Sequence, residues 1–354
     1  MTLNIGVKAR LFEIISKDIL QCNVCERRCI LKKGQRGLCG NYMNINGELY
    51  NVGYGLLSAI ESRPIEIKPF FHYWPGSSSL TFSFWGCNFL CPWCQNYHLS
   101  KKKPNIDVGD RFTPEEVVKL ALKHRDEGLC ASFNEPTVGF DFLVEVFELG
   151  KKHGLYSTIV TNGYMTLRAL EELINAGVDG FSTDIKGCPE TYRKFIGASN
   201  GAEVVLRNMR KALDLGAHVE MVFLIVTGAN DDEDCIKWVI EKVADILGPD
   251  VPLHINKYYP AYMYHEPSTS ISTLIWAYEY AKSIGLKYVY IGNIGPGSEY
   301  ENTYCPKCGK LLIRRWGTEI VEYNLNGNRC PRCNEKILIR GRRVMKSSRW
   351  RLLL

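Results

Sequence analysis

Eleven of the fourteen cysteines in this 354-residue chain stand at spacings that suit metal ligation. The middle group, Cys87, Cys91 and Cys94, reads Cys-x3-Cys-x2-Cys within GCNFLCPWCQN. Three thiolates cannot complete a four-coordinate zinc or a four-iron cube, so one metal position stays open. An open iron on a [4Fe–4S] cluster is where a reacting ligand binds. The first group, Cys22, Cys25, Cys29 and Cys39, is surrounded by Gly34, Gly37 and Gly40 and makes a closed four-thiolate site. Structural zinc or an auxiliary iron–sulfur cluster both suit it, and spacing alone does not separate them. The last group, Cys305, Cys308, Cys330 and Cys333, places two CPxC elements around hairpin-forming residues, the pattern of a zinc ribbon. Cys130, Cys188 and Cys235 stand alone and read as buried small hydrophobes, Cys188 being the one placed to face an active cavity.

These groups need a scaffold, and the chain supplies one between Leu80 and about Gly295. Apolar strand candidates at Leu80–Trp85, Leu129–Phe133, Tyr156–Val160, Gly180–Ile185, His218–Val226, Pro252–Asn256 and Tyr288–Ile291 alternate with helical stretches. Thr113-Pro114-Glu115-Glu116 starts one helix with an N-cap, proline at N1 and acids in the first turn. Gly177 and Gly248 stop two others. Serial βα units predict a parallel sheet with right-handed crossovers. The expected fold is α/β: a partial (βα)6-type TIM barrel with an N-terminal Cys-rich segment and a C-terminal zinc ribbon. The regions expected are a Cys-rich metal-binding part over 1–75, the partial barrel over 76–298, the ribbon over 299–340 and a basic tail over 341–354. Barrel active sites form at the C-terminal ends of strands. Polar residues expected there are Asn134 and Glu135 after the second strand, Asn162 after the third, Asp184 and Lys186 on one face of the fourth, Asn230 after the fifth, and His254.

The central Cys-x3-Cys-x2-Cys, with aromatic Trp93 before its last cysteine, resembles the signature of the radical S-adenosylmethionine (SAM) superfamily. The resemblance implies that Cys87, Cys91 and Cys94 hold a catalytic [4Fe–4S] cluster whose open iron takes the amino and carboxylate groups of SAM. Reductive cleavage to methionine and a 5′-deoxyadenosyl radical would follow, with hydrogen abstraction from a substrate. It implies that Glu135 meets the SAM amino group, that Lys186, in an Asp-x-Lys element like that of glycyl-radical activases, helps hold the carboxylate, and that His254 reaches the same rim. The cysteine-rich lead, Arg63-Pro64-Ile65-Glu66-Ile67-Lys68-Pro69-Phe70-Phe71-His72, GCNFLCPWCQN and NEPT together look like the AmmeMemoRadiSam enzymes, relatives of the pyruvate formate-lyase activating enzyme. That likeness runs from about Cys22 to Cys333. Arg63 stands where an acid is common and Ile67 where a lysine is common, which leaves that segment without an expected substrate role.

Composition agrees with a globular enzyme: 45% hydrophobic, 11% aromatic and 23% charged residues exclude disordered, collagen-like and coiled-coil chains. No apolar run approaches a membrane span, and MTLNIGVKAR lacks an apolar signal core, so a cytoplasmic protein is expected. The formal charge of +6 is a feature of one end: of 44 Lys and Arg, six lie from Arg340 onward with no acid among them, leaving 38 against 38 acids. The partners expected are a flavodoxin- or ferredoxin-like electron donor and a protein substrate of activase type, with no membrane. A small-molecule substrate is the alternative. A non-catalytic, metal-stabilised protein that binds nucleic acid through its ribbon and tail is a further one.

Overall fold

The computed structural model describes residues 6–107 and 111–345. Its centre is an eight-stranded sheet in sequential order: β1 (Leu57–Pro64), β2 (Ser78–Phe84), β3 (Gly128–Ala131), β4 (Tyr156–Thr161), β5 (Val178–Ile185), β6 (His218–Ile225), β7 (Leu253–Lys257) and β8 (Val289–Gly292). Strands β2 to β8 are parallel, and β1 lies antiparallel on β2 as an edge. Between the parallel strands run α1 (Pro114–His124), α2 (Phe140–Lys152), α3 (Leu167–Ala176), α4 (Gly201–Asp214), α5 (Glu233–Leu247) and α6 (Ile271–Ser283). All seven expected strands are present, separated by six helical crossovers. Thr113 caps α1 in a full capping box with Glu116, as its sequence predicts, whereas α5 is capped by Asp232.

Alternation explains why the sheet has a wet inside and a dry outside. Leu80, Phe82 and Phe84 on β2, Phe181 and Ile185 on β5, and Val219, Met221 and Phe223 on β6 pack into the main core with the helices. Most of the alternate residues are small or polar: Ser79, Thr81 and Ser83 on β2, Ser182 and Asp184 on β5, Glu220 on β6, His254 and Asn256 on β7, with Val222 and Leu224 of β6 the apolar exceptions. Arg63 of β1 and Asn256 of β7, from opposite sides of the sheet, line the same cavity, so the sheet curls around its polar face.

The strand starts are closed by residues 65–75 and the C-terminal module. Glu220 accepts hydrogen bonds from the backbone N–H groups of Phe71 (3.0 Å) and His72 (2.8 Å), and bonds to Nε2 of His218 (2.9 Å) and of His254 (2.8 Å). Phe71, Tyr288 and Tyr290 continue into a second core with Leu312, Ile313 and Ile337 of the module. Fully buried Arg315 lies 4.1 Å from the Phe71 ring centroid and donates to the carbonyls of Phe71 and Glu301 and to Thr303 Oγ1, each at 2.9 Å. The module is a three-stranded sheet (Thr303–Tyr304, Leu311–Trp316, Glu319–Tyr323) carrying the last four cysteines. At the other end, residues 7–51 form two three-stranded sheets that carry Cys22, Cys25, Cys29 and Cys39.

Two expectations need correction here. Strand β1, within the N-terminal region by sequence, belongs to the central sheet. Cys188 and Cys235 are not separate buried thiols: the loop after β5 meets the first turn of α5 and the two form a disulfide, with Cα atoms 5.2 Å apart. Cys130 is buried and free. The basic tail falls mostly outside the described residues, which end at Met345.

Candidate active site

The three central cysteines sit on the loop that leaves β2. Gly86 begins that loop at φ +88°, and a side chain there would collide with the Cys39 carbonyl, 2.1 Å from an ideal Cβ. Asn134 clamps the loop from β3: its Oδ1 accepts from Phe84 N–H (3.2 Å) and its Nδ2 donates to the Gly86 carbonyl (2.6 Å). Asn162 clamps it from β4, donating to Asn88 Oδ1 at 2.7 Å. Cys87 Sγ accepts from Phe89 N–H at 3.4 Å, and Cys94 Sγ lies 3.1 Å from Ser100 Oγ. Burial, and then the charge of Glu135, push the Cys87 thiol up; burial does the same to Cys91. Such thiols ionise when a metal takes the proton's place.

All three cysteines open onto one cavity of about 400 Å³. Glu135 faces it, 2% exposed, and its carboxylate accepts from Thr137 N–H (3.1 Å), Thr137 Oγ1 (2.7 Å), Thr161 Oγ1 (2.9 Å) and Asn162 N–H (2.8 Å). Burial raises its pKa against those donors. Every one of these partners is neutral, so the site holds a buried carboxylate with its orientation fixed and its charge uncompensated. Phe133, two residues before, is held at φ +70°, with its carbonyl bound by Asn96 Nδ2 at 2.6 Å. Across the cavity, Lys186 Nζ pairs with Asp184 Oδ2 at 2.9 Å. Burial works against its charge, but Asp184 and Cys91 outweigh that and raise its pKa.

Thus Asn134, Glu135, Asn162, Asp184 and Lys186 share the cavity with the cysteines. Asn230 and His254 do not line it. Asn230 spends its amide on backbone, donating to the carbonyls of Lys186 (2.8 Å) and Leu224 (3.0 Å) and accepting from Val226 N–H (2.6 Å), which ties the ends of β5 and β6 together. His254 is one layer too low: it is bound to Glu220 and stacked on Tyr290 at the closed end. The residue of β7 that reaches the cavity is Asn256, two positions on and on the same face. Unanticipated lining residues are Arg63, Ile67 and Lys68, on and just after β1. Cys188 does not line the cavity.

The outer cysteine groups differ in geometry. Sγ of Cys305 and Cys333 are 3.5 Å apart and those of Cys308 and Cys330 3.7 Å, and all four lie within 4.8 Å of one another. Among the described residues this is the only such group. Cys22, Cys25, Cys29 and Cys39 instead surround a cavity of about 20 Å³, walled also by Asn88 and Thr137. Nδ2 of Asn88, a residue 2% exposed, makes no hydrogen bond of ordinary geometry among the described residues, but the Asn88 side chain stands close enough to Cys25 to lower its thiol against burial.

Comparison with known proteins matches this architecture. The Radical SAM superfamily description matches residues 83–243, from the cysteine loop through α5. An uncharacterized protein of Methanocaldococcus jannaschii is 39% identical over 333 residues, covering 93% of this chain and 98% of that one. The pyruvate formate-lyase-activating enzyme of Streptococcus mutans is 32% identical over 165 residues, 43% of this chain and 61% of the other. A protein of Pyrobaculum aerophilum named Probable GTP 3′,8-cyclase is 27% identical over 165 residues, 45% of this chain and 51% of the other. A crystallised domain of a Bacteroides vulgatus pyruvate-formate lyase-activating enzyme aligns with a TM-score of 0.40 at 21% identity, over 47% of this chain and 99% of that domain. With its cysteine loop at the mouth of a mostly parallel α/β sheet, the chain carries a domain of the radical SAM superfamily over residues 83–243.

Proposed function

We propose that the protein cleaves SAM reductively and uses the resulting radical to abstract hydrogen from a substrate held in the 400 Å³ cavity. The observation that carries this is the convergence of three cluster-ligating thiols, one uncompensated carboxylate and one lysine on a single cavity. The donor set fits: Cys87, Cys91 and Cys94 would hold a [4Fe–4S] cluster with one iron free of protein ligands. Bound there, such a cluster would supply the one electron needed to cleave the sulfonium of SAM to methionine and a 5′-deoxyadenosyl radical, which would become 5′-deoxyadenosine on taking a substrate hydrogen. Glu135 receives the SAM ammonium, since a buried carboxylate with only neutral partners gains most from a cation. Lys186, kept charged by Asp184, faces the SAM carboxylate. Asn134 and Asn162 hold the cysteine loop in place. Val222 and Leu224 give the cavity an apolar wall that excludes water from the radical. A flavodoxin- or ferredoxin-like protein is the electron source.

The activating-enzyme relatives support a polypeptide substrate of activase type, and the cyclase relatives support a small molecule. The position of Lys68 on the cavity favours the small molecule. The last four cysteines have the spacing of a tetrahedral zinc site, in which Zn–S bonds of about 2.3 Å place sulfurs about 3.8 Å apart. The first four lack the close convergence of the last four, which supports an auxiliary iron–sulfur cluster there. The Asn88 amide would serve as a hydrogen-bond donor to its sulfur.

The test is 5′-deoxyadenosine formation by protein reconstituted without oxygen, reduced with dithionite and given SAM, beside a Cys94→Ala control. Product from the wild type alone supports the proposal. A full, reducible cluster whose electron paramagnetic resonance (EPR) spectrum does not change on adding SAM ends it.

A further inference from the structure

Lys68 is an anomaly that neither the fold nor SAM binding explains. It follows β1 on the segment that closes the sheet, is only 3% exposed, and lines the cavity. Its Nζ makes one long hydrogen bond, 3.4 Å to the Pro64 carbonyl four residues back, and it forms no ion pair among the described residues. Neither of the nearby acids forms an ion pair with it among the described residues. Glu61 pairs with Arg63 at 2.8 Å, and Asp126 accepts from the hydroxyls of Ser62 (2.6 Å) and Ser78 (2.5 Å). Burial pulls the Lys68 ammonium down from its usual pKa, more than the charges of Cys130 and Asp126 hold it up, and Arg63 adds a smaller push in the same direction as burial. An unpaired buried ammonium destabilises the fold. A methionine of similar length would remove that cost, so the charge is in place for something that enters the cavity.

The geometry points to a subsite for an anionic group of the substrate, a carboxylate or a phosphate, at Lys68 with Arg63 beside it. The inference rests on reading the cavity as the reaction chamber. Glu135 and the Asp184–Lys186 pair stand with the cysteines, where SAM is proposed to lie, while Arg63 and Lys68 enter from β1 and the closing segment. Neutral donors, Ser132, Asn256 and Asn293, also line the cavity. Of the cationic groups left to the substrate, Arg63 is paired with Glu61 and Lys68 has no ion-pair partner among the described residues. Because Nζ of Lys68 is buried, an anion must pass inside to reach it. A small molecule does so, and the surface of a folded protein does not.

The experiment uses the full chain, reconstituted anaerobically and saturated with SAM so that Lys186 is engaged. Inorganic phosphate and malonate are titrated separately by calorimetry into wild type, Lys68→Arg and Lys68→Met. At least one anion is expected to bind the wild type and Lys68→Arg, and to bind Lys68→Met about tenfold more weakly or worse. Which anion binds tells phosphate from carboxylate. If Lys68→Met does not fold, Arg63→Met serves, with a several-fold loss expected. Binding of neither anion to the wild type, or equal binding to wild type and the neutral variant, overturns the subsite. The SAM-induced change in the EPR spectrum of the reduced wild-type cluster separates the two readings. Its presence without anion binding removes only the subsite, and its absence removes the reading of the chamber itself.

Discussion

Replacing Glu135 with glutamine tests the centre of the proposed chemistry, because it removes a charge while keeping a shape. In the wild type both carboxylate oxygens accept: one from Thr137 N–H and Oγ1, the other from Asn162 N–H at 2.8 Å, with Thr161 Oγ1 reaching both at 2.9 and 3.0 Å. A glutamine has one acceptor. Whichever way its amide turns, its NH2 meets a backbone N–H, of Thr137 or of Asn162, and a buried donor is left unsatisfied. That costs about 1–3 kcal/mol of stability. The second loss falls on SAM: a hydrogen bond to a charged group is worth about 1.5–3 kcal/mol, so affinity should fall about ten- to a hundredfold. The assay is an anaerobic titration of SAM followed by the EPR spectrum of the reduced cluster, with iron content and melting temperature measured in parallel. A SAM analogue lacking the amino group separates the two losses. It should bind wild type and Glu135→Gln alike, since the variant lacks only the partner of that group. Unchanged SAM affinity in a variant with a full cluster, or an equal loss for the analogue, refutes the assignment.

Three further outcomes are expected. In a Cys87→Ala/Cys91→Ala/Cys94→Ala chain reconstituted with iron and sulfide, about four iron atoms and one zinc should remain; two zinc atoms and no iron would show that the first four cysteines form a zinc cage. His254→Leu, which takes one partner from buried Glu220, should lower stability by about 3 kcal/mol yet leave SAM affinity within about twofold; a large loss of SAM affinity in folded protein would restore His254 to the active site. Glu66 is pushed up to about 7, chiefly by burial. A carboxyl with a raised folded-state pKa stabilises the fold below its unfolded value, near 4.5, and loses that contribution as pH rises to about 7. Glu66→Gln should therefore gain on the wild type across that interval, by about 3 kcal/mol in all, and the difference should be flat above pH 8 in denaturant titrations.

The parts of this molecule legible in the sequence are those where a local pattern has one physical solution. The parallel strands were readable because their outward residues, such as Phe82, Phe181 and Met221, must be apolar to meet helices. Glu135 and Lys186 were readable because polar residues at the ends of such strands have one place to go. Strand β1 was not, since an antiparallel edge strand reading LSAIESRP has no helix of its own and looks like a loop; with it went Arg63 and Lys68. His254 misled for a related reason. Alternation fixes which side a strand residue faces but not its height, and one layer separates the Glu220 network from Asn256 at the cavity.

The two flanking cysteine groups show the same division between what spacing decides and what the fold must add. Both have four thiols and nearby turns, so their sequences allow the same metals. What separates them is how the surrounding chain holds the sulfurs. The C-terminal four hang on tight turns at one end of a small hairpin sheet and converge to 3.5–3.7 Å. The N-terminal four are spread over separate strands and loops, around a cavity walled in part by Asn88 of the active-site cysteine loop. Asn88 belongs to both places: it follows Cys87 directly, its Oδ1 receives Asn162, and its side chain borders the N-terminal cavity beside Cys25. A single side chain thus joins the two cysteine sites. Asn88→Ala should therefore disturb both at once, altering the EPR signal of the radical SAM cluster and that of the triple-alanine chain's remaining cluster. A change confined to either one would mean that the sites are neighbours without being coupled.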